Sequence, residues 1–281
     1  MRALFLAGAL SAVTALAPQT SAGAGEPLNA REAYVERRGL IEADARCNLL
    51  APNIRAALQV SAAQTRGTLL RAGWTNAGVQ GLEHAVATAA HARPCNDPRT
   101  LSSAADARAA FASWVNAGSM RFPGWERAWV ARRARGEGWR LSQSIDGAGV
   151  FGVRERAGQQ RLQFVAALRG SAAPTSVRLI IRDRTRWAPA DIALPQRVAQ
   201  GLAAGAPAPG SAQTVNSTRT IEDAGGQSQV VFTFPDTAFR DLLALDPRES
   251  VELRLENSRA AQRLYIEVGD VAAARSFLTI R

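Results

Sequence analysis

The spacing of the hydrophobic residues changes near Gly136, from three or four residues before it to two residues after it. The longer spacing is typical of amphipathic helices, and alternation is typical of strands that bury one face. Because helices and strands are segregated along the chain, the sequence predicts an α+β fold. We expect a helical domain over residues 25–136 and a β-rich domain over residues 137–281.

Four helices are predicted in the first domain. Asn29 is suited to cap the first helix, and Pro52 separates it from the second. Gly73 follows the second apolar stripe as a stop signal. Residues 103–106 resemble a capping box for the fourth helix, which Gly118 closes. Because the connecting loops are short, we expect antiparallel neighbours in a four-helix bundle.

The second domain is predicted to be a mostly antiparallel sheet or sandwich, partly covered by short helices. Its alternating segments are separated by glycine-containing turns, which is typical of hairpins. The predicted strands are residues 139–145, 150–156, 162–168, 177–182, 230–234, 251–255 and 264–268. The predicted helices are residues 196–204, 236–245 and 270–278, and residues 205–210 are predicted to be a loop or linker.

Residues 1–24 have the order of a secretory signal peptide. Arg2 supplies one positive charge, residues 3–17 are apolar, and residues 22–24 are small, as a signal peptidase requires. The apolar run is shorter than the roughly 20 residues that a spanning helix needs. We predict cleavage near Gly25, a product with no transmembrane segment, and a periplasmic or secreted location. An uncleaved membrane anchor is the alternative.

Cys47 and Cys95 are the only two cysteines. In an oxidising compartment a single pair of this kind predicts one disulfide. The bond would tie the end of the first helix to the segment after the third. The alternative, a catalytic thiol, would need an activating base and would leave the other cysteine unpaired.

The sequence carries no signature of a catalytic, cofactor or metal site. All 34 basic residues are arginine, which excludes P-loops, Schiff-base lysines and Ser–Lys dyads. His84 and His91 would lie about 10 Å apart along one helix, too far to share a metal ion. Glu83 and Asp97 are conceivable acid–base partners for these histidines, but neither spacing is diagnostic. We therefore expect no cofactor, no metal and no catalytic residue.

The strongest functional signal is positive charge, because the formal net charge is +10. Arginines and tryptophans alternate in one segment, and we predict this segment to bind an anionic lipid or glycan surface. Its residues are Arg121, Trp125, Arg127, Trp129, Arg132, Arg133 and Arg135. If residues 125–135 form a helix, Trp125 and Trp129 share one face. The alternative is that the tryptophans belong to the core and the arginines only solvate a face.

A second basic run could extend this surface. It comprises Arg178, Arg182, Arg184 and Arg186 and ends at Trp187. Because an exported chain rarely meets nucleic acid, we do not expect a nucleic-acid partner.

These features predict an exported periplasmic protein with a non-catalytic binding or envelope-support role that contacts an anionic envelope component. Two alternatives stay open. One is a hydrolase that acts on a cell-envelope polymer through a histidine or paired carboxylates, for which Glu222, Asp223 and Asp236 are candidates. The other is a partner-binding subunit of an envelope or secretion complex, which would expose an apolar patch.

Overall fold

The fold has the α+β class predicted from the sequence, with four helices followed by antiparallel sheets and short helices. The computed structural model describes residues 27–134, 136–145, 147–167, 173–183, 185, 206–207, 210–224, 226–257 and 261–280. The predicted leader, Arg135 and the predicted helix at residues 196–204 lie outside the described residues.

The helical part consists of α1 (Pro27–Cys47), α2 (Pro52–Arg71), α3 (Asn76–His91) and α4 (Pro98–Asn116). Pro52 occupies the first turn of α2, where a missing N–H costs nothing. Gly73 follows α2 with φ +97°, the left-handed conformation that glycine adopts without strain. No helix among the residues described here is long and apolar enough to cross a membrane.

The start of α4 differs from the prediction. The Asp97 side chain accepts a hydrogen bond from the Thr100 backbone N–H at 2.9 Å, and Pro98 begins the helix. Residues 103–106 therefore lie inside α4 and do not cap it. Aspartate followed by proline is the stronger start signal, because it supplies both a cap and a preset φ angle.

The helices do not all pack against their sequence neighbours in the predicted antiparallel arrangement. α1 runs antiparallel to α2, with Asp44 near the end of α1 paired to Arg55 near the start of α2. α1 runs parallel to α3, because Arg46 at its end donates a hydrogen bond to the carbonyl of His91 at 2.7 Å. α1 therefore contacts both α2 and α3, and α4 packs mainly against α2.

Cys47 and Cys95 form the predicted disulfide, with a Cα–Cα distance of 5.6 Å. The bond ties the last residue of α1 to the loop between α3 and α4. It reinforces the parallel contact of α1 with α3 at the end where Arg46 also caps α3.

The described residues after α4 form eleven strands and two short helices. The strands are β1 (Ser119–Pro123), β2 (Ala128–Arg132), β3 (Gly138–Ile145), β4 (Gly149–Arg156), β5 (Gln159–Ala166), β6 (Ser176–Arg182), β7 (Ala212–Asn216), β8 (Thr218–Ala224), β9 (Gln227–Thr233), β10 (Ser250–Glu256) and β11 (Ala261–Glu267). The helices are α5 (Asp236–Leu243) and α6 (Val271–Phe277).

These strands build two antiparallel sheets. The larger sheet has the order β1-β2-β3-β4-β5-β9-β8, and the smaller has the order β11-β10-β6-β7. Apolar residues of both sheets share one core with α2, α4, α5 and α6. Within it, Trp129, Phe151 and Phe234 are in successive ring contact, with centroids 6.2 and 6.0 Å apart. The core is therefore continuous between the helical and β-rich parts.

Strands β1 and β2 replace the helix that was considered for residues 125–135. Trp129 and Ala131 are buried, whereas Val130 is half-buried and Arg132 is exposed, which is the alternation of a strand. The sheet consequently begins at Ser119, within the range assigned to the helical domain. Arginines interrupt the apolar residues of this segment so often that the short alternation of apolar and polar residues could not be recognised in the sequence.

A buried ion pair joins α2 to the residue that precedes α6. Arg71 donates to both carboxylate oxygens of Asp270 at 2.7 and 2.9 Å, and the Asp270 side chain is 1% exposed. Burial raises the pKa of Asp270 to about 6, although the Arg71 guanidinium opposes this shift. The pair fixes the helical part against the end of the smaller sheet.

Candidate functional site

Trp129, which was predicted to contact a partner, is a core residue. Its side chain is fully buried, and its indole N–H donates to the carbonyl oxygens of Glu267 at 2.9 Å and Val268 at 3.0 Å. A buried indole needs such a partner for its N–H. Trp129 therefore joins β2 to the end of β11 and takes no part in an exposed surface.

Arg133 is also occupied within the fold. Its guanidinium lies 4.4 Å from the centroid of the Phe277 ring and donates to the carbonyls of Trp114 and Val115 at the end of α4. A cation at this position compensates the negative end of the helix dipole. Burial lowers the pKa of Arg133, yet its contacts are those of a charged side chain. Arg133 thus holds α4 on the sheet.

The turn between β1 and β2 is fixed by a carboxylate. Glu267 accepts hydrogen bonds from the backbone N–H groups of Trp125 at 2.7 Å and Arg127 at 3.1 Å. A side chain at Gly124 would overlap this carboxylate, so the close approach requires glycine. Trp125 is 43% exposed, and Arg127 donates to the Tyr265 carbonyl at 3.4 Å. The Arg127 side chain is therefore held beside β11, at the edge of the smaller sheet, and the Trp125 indole N–H donates to the Arg248 carbonyl at 3.4 Å.

Arg121 and Arg132 lie on the outer face of the β1–β2 hairpin. Both are exposed, and Arg132 makes a 3.4 Å contact with the Ser142 hydroxyl. Four members of the predicted segment are thus accessible at least in part, at two places on the hairpin. Arg135, the last member, lies outside the described residues.

The smaller sheet brings together three arginines from distant parts of the sequence. Arg178 of β6 is directly opposite Arg254 of β10, and Arg254 is directly opposite Arg263 of β11. We refer to Arg178, Arg254 and Arg263 as the arginine row. Its side chains extend from the outer face of the sheet, and the Arg263 side chain is 62% exposed. Like charges directly opposite each other on neighbouring strands destabilise a sheet.

Two carboxylates offset the arginine row in part. Glu252 accepts from Arg254 at 2.9 Å and lies 3.8 Å from the Arg263 guanidinium, and Glu256 pairs with Arg178. Solvent-accessible ion pairs contribute little to stability. Three guanidinium groups facing two carboxylates leave this patch with an excess of positive charge.

The arginine row continues into the β1–β2 turn. Tyr265 is two residues after Arg263 and therefore on the same face of β11. Because β11 is the edge strand, Arg127 reaches the Tyr265 carbonyl from outside the sheet. Arg127 and the partly exposed Trp125 thus lie next to the sheet edge that carries Arg263.

Arg182, the neighbour of Arg178 in the second basic run, has a structural role. It forms a two-point ion pair with Glu249, with both hydrogen bonds at 2.8 Å, and both side chains are buried. The Glu249 carboxylate raises the pKa of Arg182. Arg184, Arg186 and Trp187 lie outside the described residues.

The residues proposed for a hydrolase are held in other contacts. His84 is exposed, and His91 Nε2 lies 3.7 Å from Glu42, not beside Asp97. Glu222 accepts from Arg154 at 2.9 Å, and Asp236 pairs with Arg161 at 3.3 Å. Asp223 accepts from a backbone N–H in its own turn. In the part of the chain that the structure describes, no group of three metal-ligating side chains occurs.

The arginine row was only partly predictable. Arg178 belongs to a run that is visible in the sequence, but Arg254 and Arg263 join it only through the register of β6, β10 and β11. Arg254 lies in the predicted strand 251–255, and Arg263 directly precedes the predicted strand 264–268; this placement is the signal that could have found them. Comparisons of the chain with models of known protein families, with curated proteins and with solved structures find no match.

Proposed function

We propose that this chain is an exported periplasmic protein with a non-catalytic binding role, and that its arginine row contacts an anionic component of the cell envelope. The observation that carries the proposal is the register that places Arg178, Arg254 and Arg263 side by side on one outward face. Because Glu252 and Glu256 offset the repulsion between these arginines only in part, packing alone does not account for the arrangement. A bound anion would remove the repulsion.

The chemistry of the arginine row suits phosphate and carboxylate groups. Guanidinium groups bind both through paired hydrogen bonds and remain charged at any physiological pH. Neighbouring strands are about 4.8 Å apart, so the three arginines span about 10 Å across the sheet. A flat, regularly spaced set of cations matches a surface or polymer that repeats its anionic groups.

The distribution of charge along the chain favours the β-rich part. Residues 117–281 contain 23 arginines and 16 acidic residues, whereas residues 27–116 contain ten arginines and seven acidic residues. Most of the excess positive charge therefore belongs to the β-rich part. Trp125 adds an exposed amphipathic ring beside Arg127, as is common at polar–apolar interfaces.

Export is supported by two independent features. The first residues have the order of a signal peptide, and the disulfide between Cys47 and Cys95 is the kind of bond that persists in oxidising compartments. An envelope location would bring the arginine row within reach of anionic lipids and glycans.

Binding to vesicles tests the proposal. We expect the protein to bind vesicles that contain phosphatidylglycerol, to ignore purely zwitterionic vesicles, and to bind less tightly as salt is added. The variant R178Q/R254Q/R263Q should bind about 100-fold less tightly, since each arginine at an anionic surface contributes about 1 kcal/mol. A soluble anionic glycan, tested in parallel, distinguishes the two sources of anionic groups.

The matched control is R38Q/R99Q/R108Q, which removes the same charge from the helical part. Because these arginines lie on helices away from the smaller sheet, we expect near wild-type binding. An equal loss of vesicle affinity in both variants would show that only the net charge matters. The arginine row would then not be the binding site. Absence of binding to both ligands at low salt would contradict the anionic partner altogether.

A further inference from the structure

The helical part contains an open groove above α1. Its floor is formed by α1 around Gly39 and Ala43, one wall by α3 and the other by the first turns of α4. The volume of the groove is about 480 Å³, which falls in the range of small-molecule sites. The groove exists because α3 packs on α1 and α4 packs mainly on α2.

Small side chains keep this groove open. The wall formed by α3 carries Ala85 and Ala89, and the floor carries Gly39 and Ala43. Ala85 and Ala89 are exposed, so this wall of the groove is open to solvent. Leucine at two of these positions would fill the space and remove apolar surface from water. The chain instead leaves an apolar groove accessible.

The groove extends along about 18 Å of α1, from Arg31 to Ala43, at 1.5 Å per residue. This length and the narrow apolar walls suit an elongated hydrocarbon chain. A compact ring system would leave much of the groove uncovered.

The two ends of the groove differ in charge. One end, near the disulfide, has Arg93 together with Ser103 and its hydroxyl. The opposite end has Arg31 with Glu32 and Glu36. An anionic head group is favoured at the first end and repelled at the second.

The Arg93 end has further features that bear on an anion. Arg46 donates to the last carbonyls of α3, which removes the acceptors that would repel an anion. Asp97 is close enough for its charge to interact with Arg93, but its carboxylate accepts from the backbone N–H and the hydroxyl of Thr100 and does not line the groove. Arg93 is therefore the charged side chain that lines this end.

We propose that this groove binds a single-chain anionic amphiphile of the fatty-acid class. The hydrocarbon chain lies along α1 between Ala85, Ala89 and Gly39, and the carboxylate pairs with Arg93. This ligand site is separate from the arginine row, which lies on the smaller sheet. The proposal does not depend on the function proposed for that row.

Calorimetric titration with tetradecanoate, below its micelle concentration, tests this proposal. We expect saturable binding of about one molecule per chain. The variant A85L/A89L fills the groove and should weaken binding by at least about 100-fold, because each methylene excluded from the site loses its burial. Leucine favours helix, so this variant should keep the wild-type circular dichroism and vesicle binding.

Arg93→Gln separates the head-group contact from the chain contact. This substitution should lower the affinity for tetradecanoate by about tenfold, the typical effect of losing a charged hydrogen bond. The affinity for tetradecanol should stay unchanged. The variant Arg99→Gln, which removes the same charge from the outside of α4, should bind both tetradecanoate and tetradecanol with wild-type affinity. The variant R178Q/R254Q/R263Q should also bind tetradecanoate normally.

Three results would overturn the proposal. The first is no binding by the wild type. The second is equal binding by A85L/A89L and the wild type, which would show association outside the groove. The third is a wild-type dimer, detected by sedimentation, that A85L/A89L abolishes, because a second copy of the chain would then occupy the groove.

Discussion

Replacing both Cys47 and Cys95 by alanine is expected to lower the free energy of unfolding by about 4 kcal/mol. The disulfide closes a loop with a sequence separation of 48, and the conformational entropy that the unfolded chain regains when this loop is opened is of this size. Because the bond joins α1 to the end of α3, we expect these helices to lose protection from hydrogen exchange first. Urea unfolding of the two proteins measures the difference.

The single variants provide the control for this prediction. Cys47→Ala and Cys95→Ala each break the same bond, so each should lose nearly as much stability as the double variant. Additive losses from the two single variants would indicate that the side chains contribute by packing instead. A double variant within about 1 kcal/mol of the wild type would contradict a structural role for the disulfide.

Replacing Gly67 by alanine should destabilise the protein by about 2 kcal/mol, although alanine is the better helix former. A Cβ at this position would overlap the Asp270 carboxylate, which Arg71 holds in place on both oxygens. The methyl group can be accommodated only by moving α2 away from α6 or by breaking the ion pair. Thermal and urea unfolding both report this loss.

Gly81 of α3 is the matched control, because nothing lies within 4 Å of a Cβ added there. Gly81→Ala should raise the free energy of unfolding by up to about 1 kcal/mol through helix propensity alone. The two substitutions are chemically identical and should have opposite signs. If Gly67→Ala were as stabilising as Gly81→Ala, this result would contradict the close contact between Gly67 of α2 and the Asp270 carboxylate.

The class of the fold and most of its elements could be predicted because burial leaves a periodic pattern. The helices α2 and α3 and the strands β3, β4 and β6 were predicted within a few residues, since their apolar residues recur at the spacing of a helix or a strand. Strands β7 and β8 were not predicted. Their residues are mostly polar, and Ile221 of β8 is 63% exposed, so no buried face marks them.

The candidate site was less predictable because its members meet through pairing between strands. Trp125 and Trp129 are four residues apart in the sequence, yet one is exposed and the other is fully buried. That difference arises from the turn held by Glu267, which is distant in the chain. Arg254 and Arg263 likewise become neighbours only through the register of β10 and β11. Sequence spacing carries no information about such contacts.

Export of the chain is the premise on which its partners depend, and mass spectrometry of the intact protein tests it most directly. The protein is isolated from its own cells and treated with an alkylating reagent under denaturing conditions without reductant. We predict a chain that begins near Gly25 and takes up no alkyl group, because Cys47 and Cys95 are bonded. A chain that retains residues 1–24 and takes up two alkyl groups would contradict export, the disulfide and the envelope partner together.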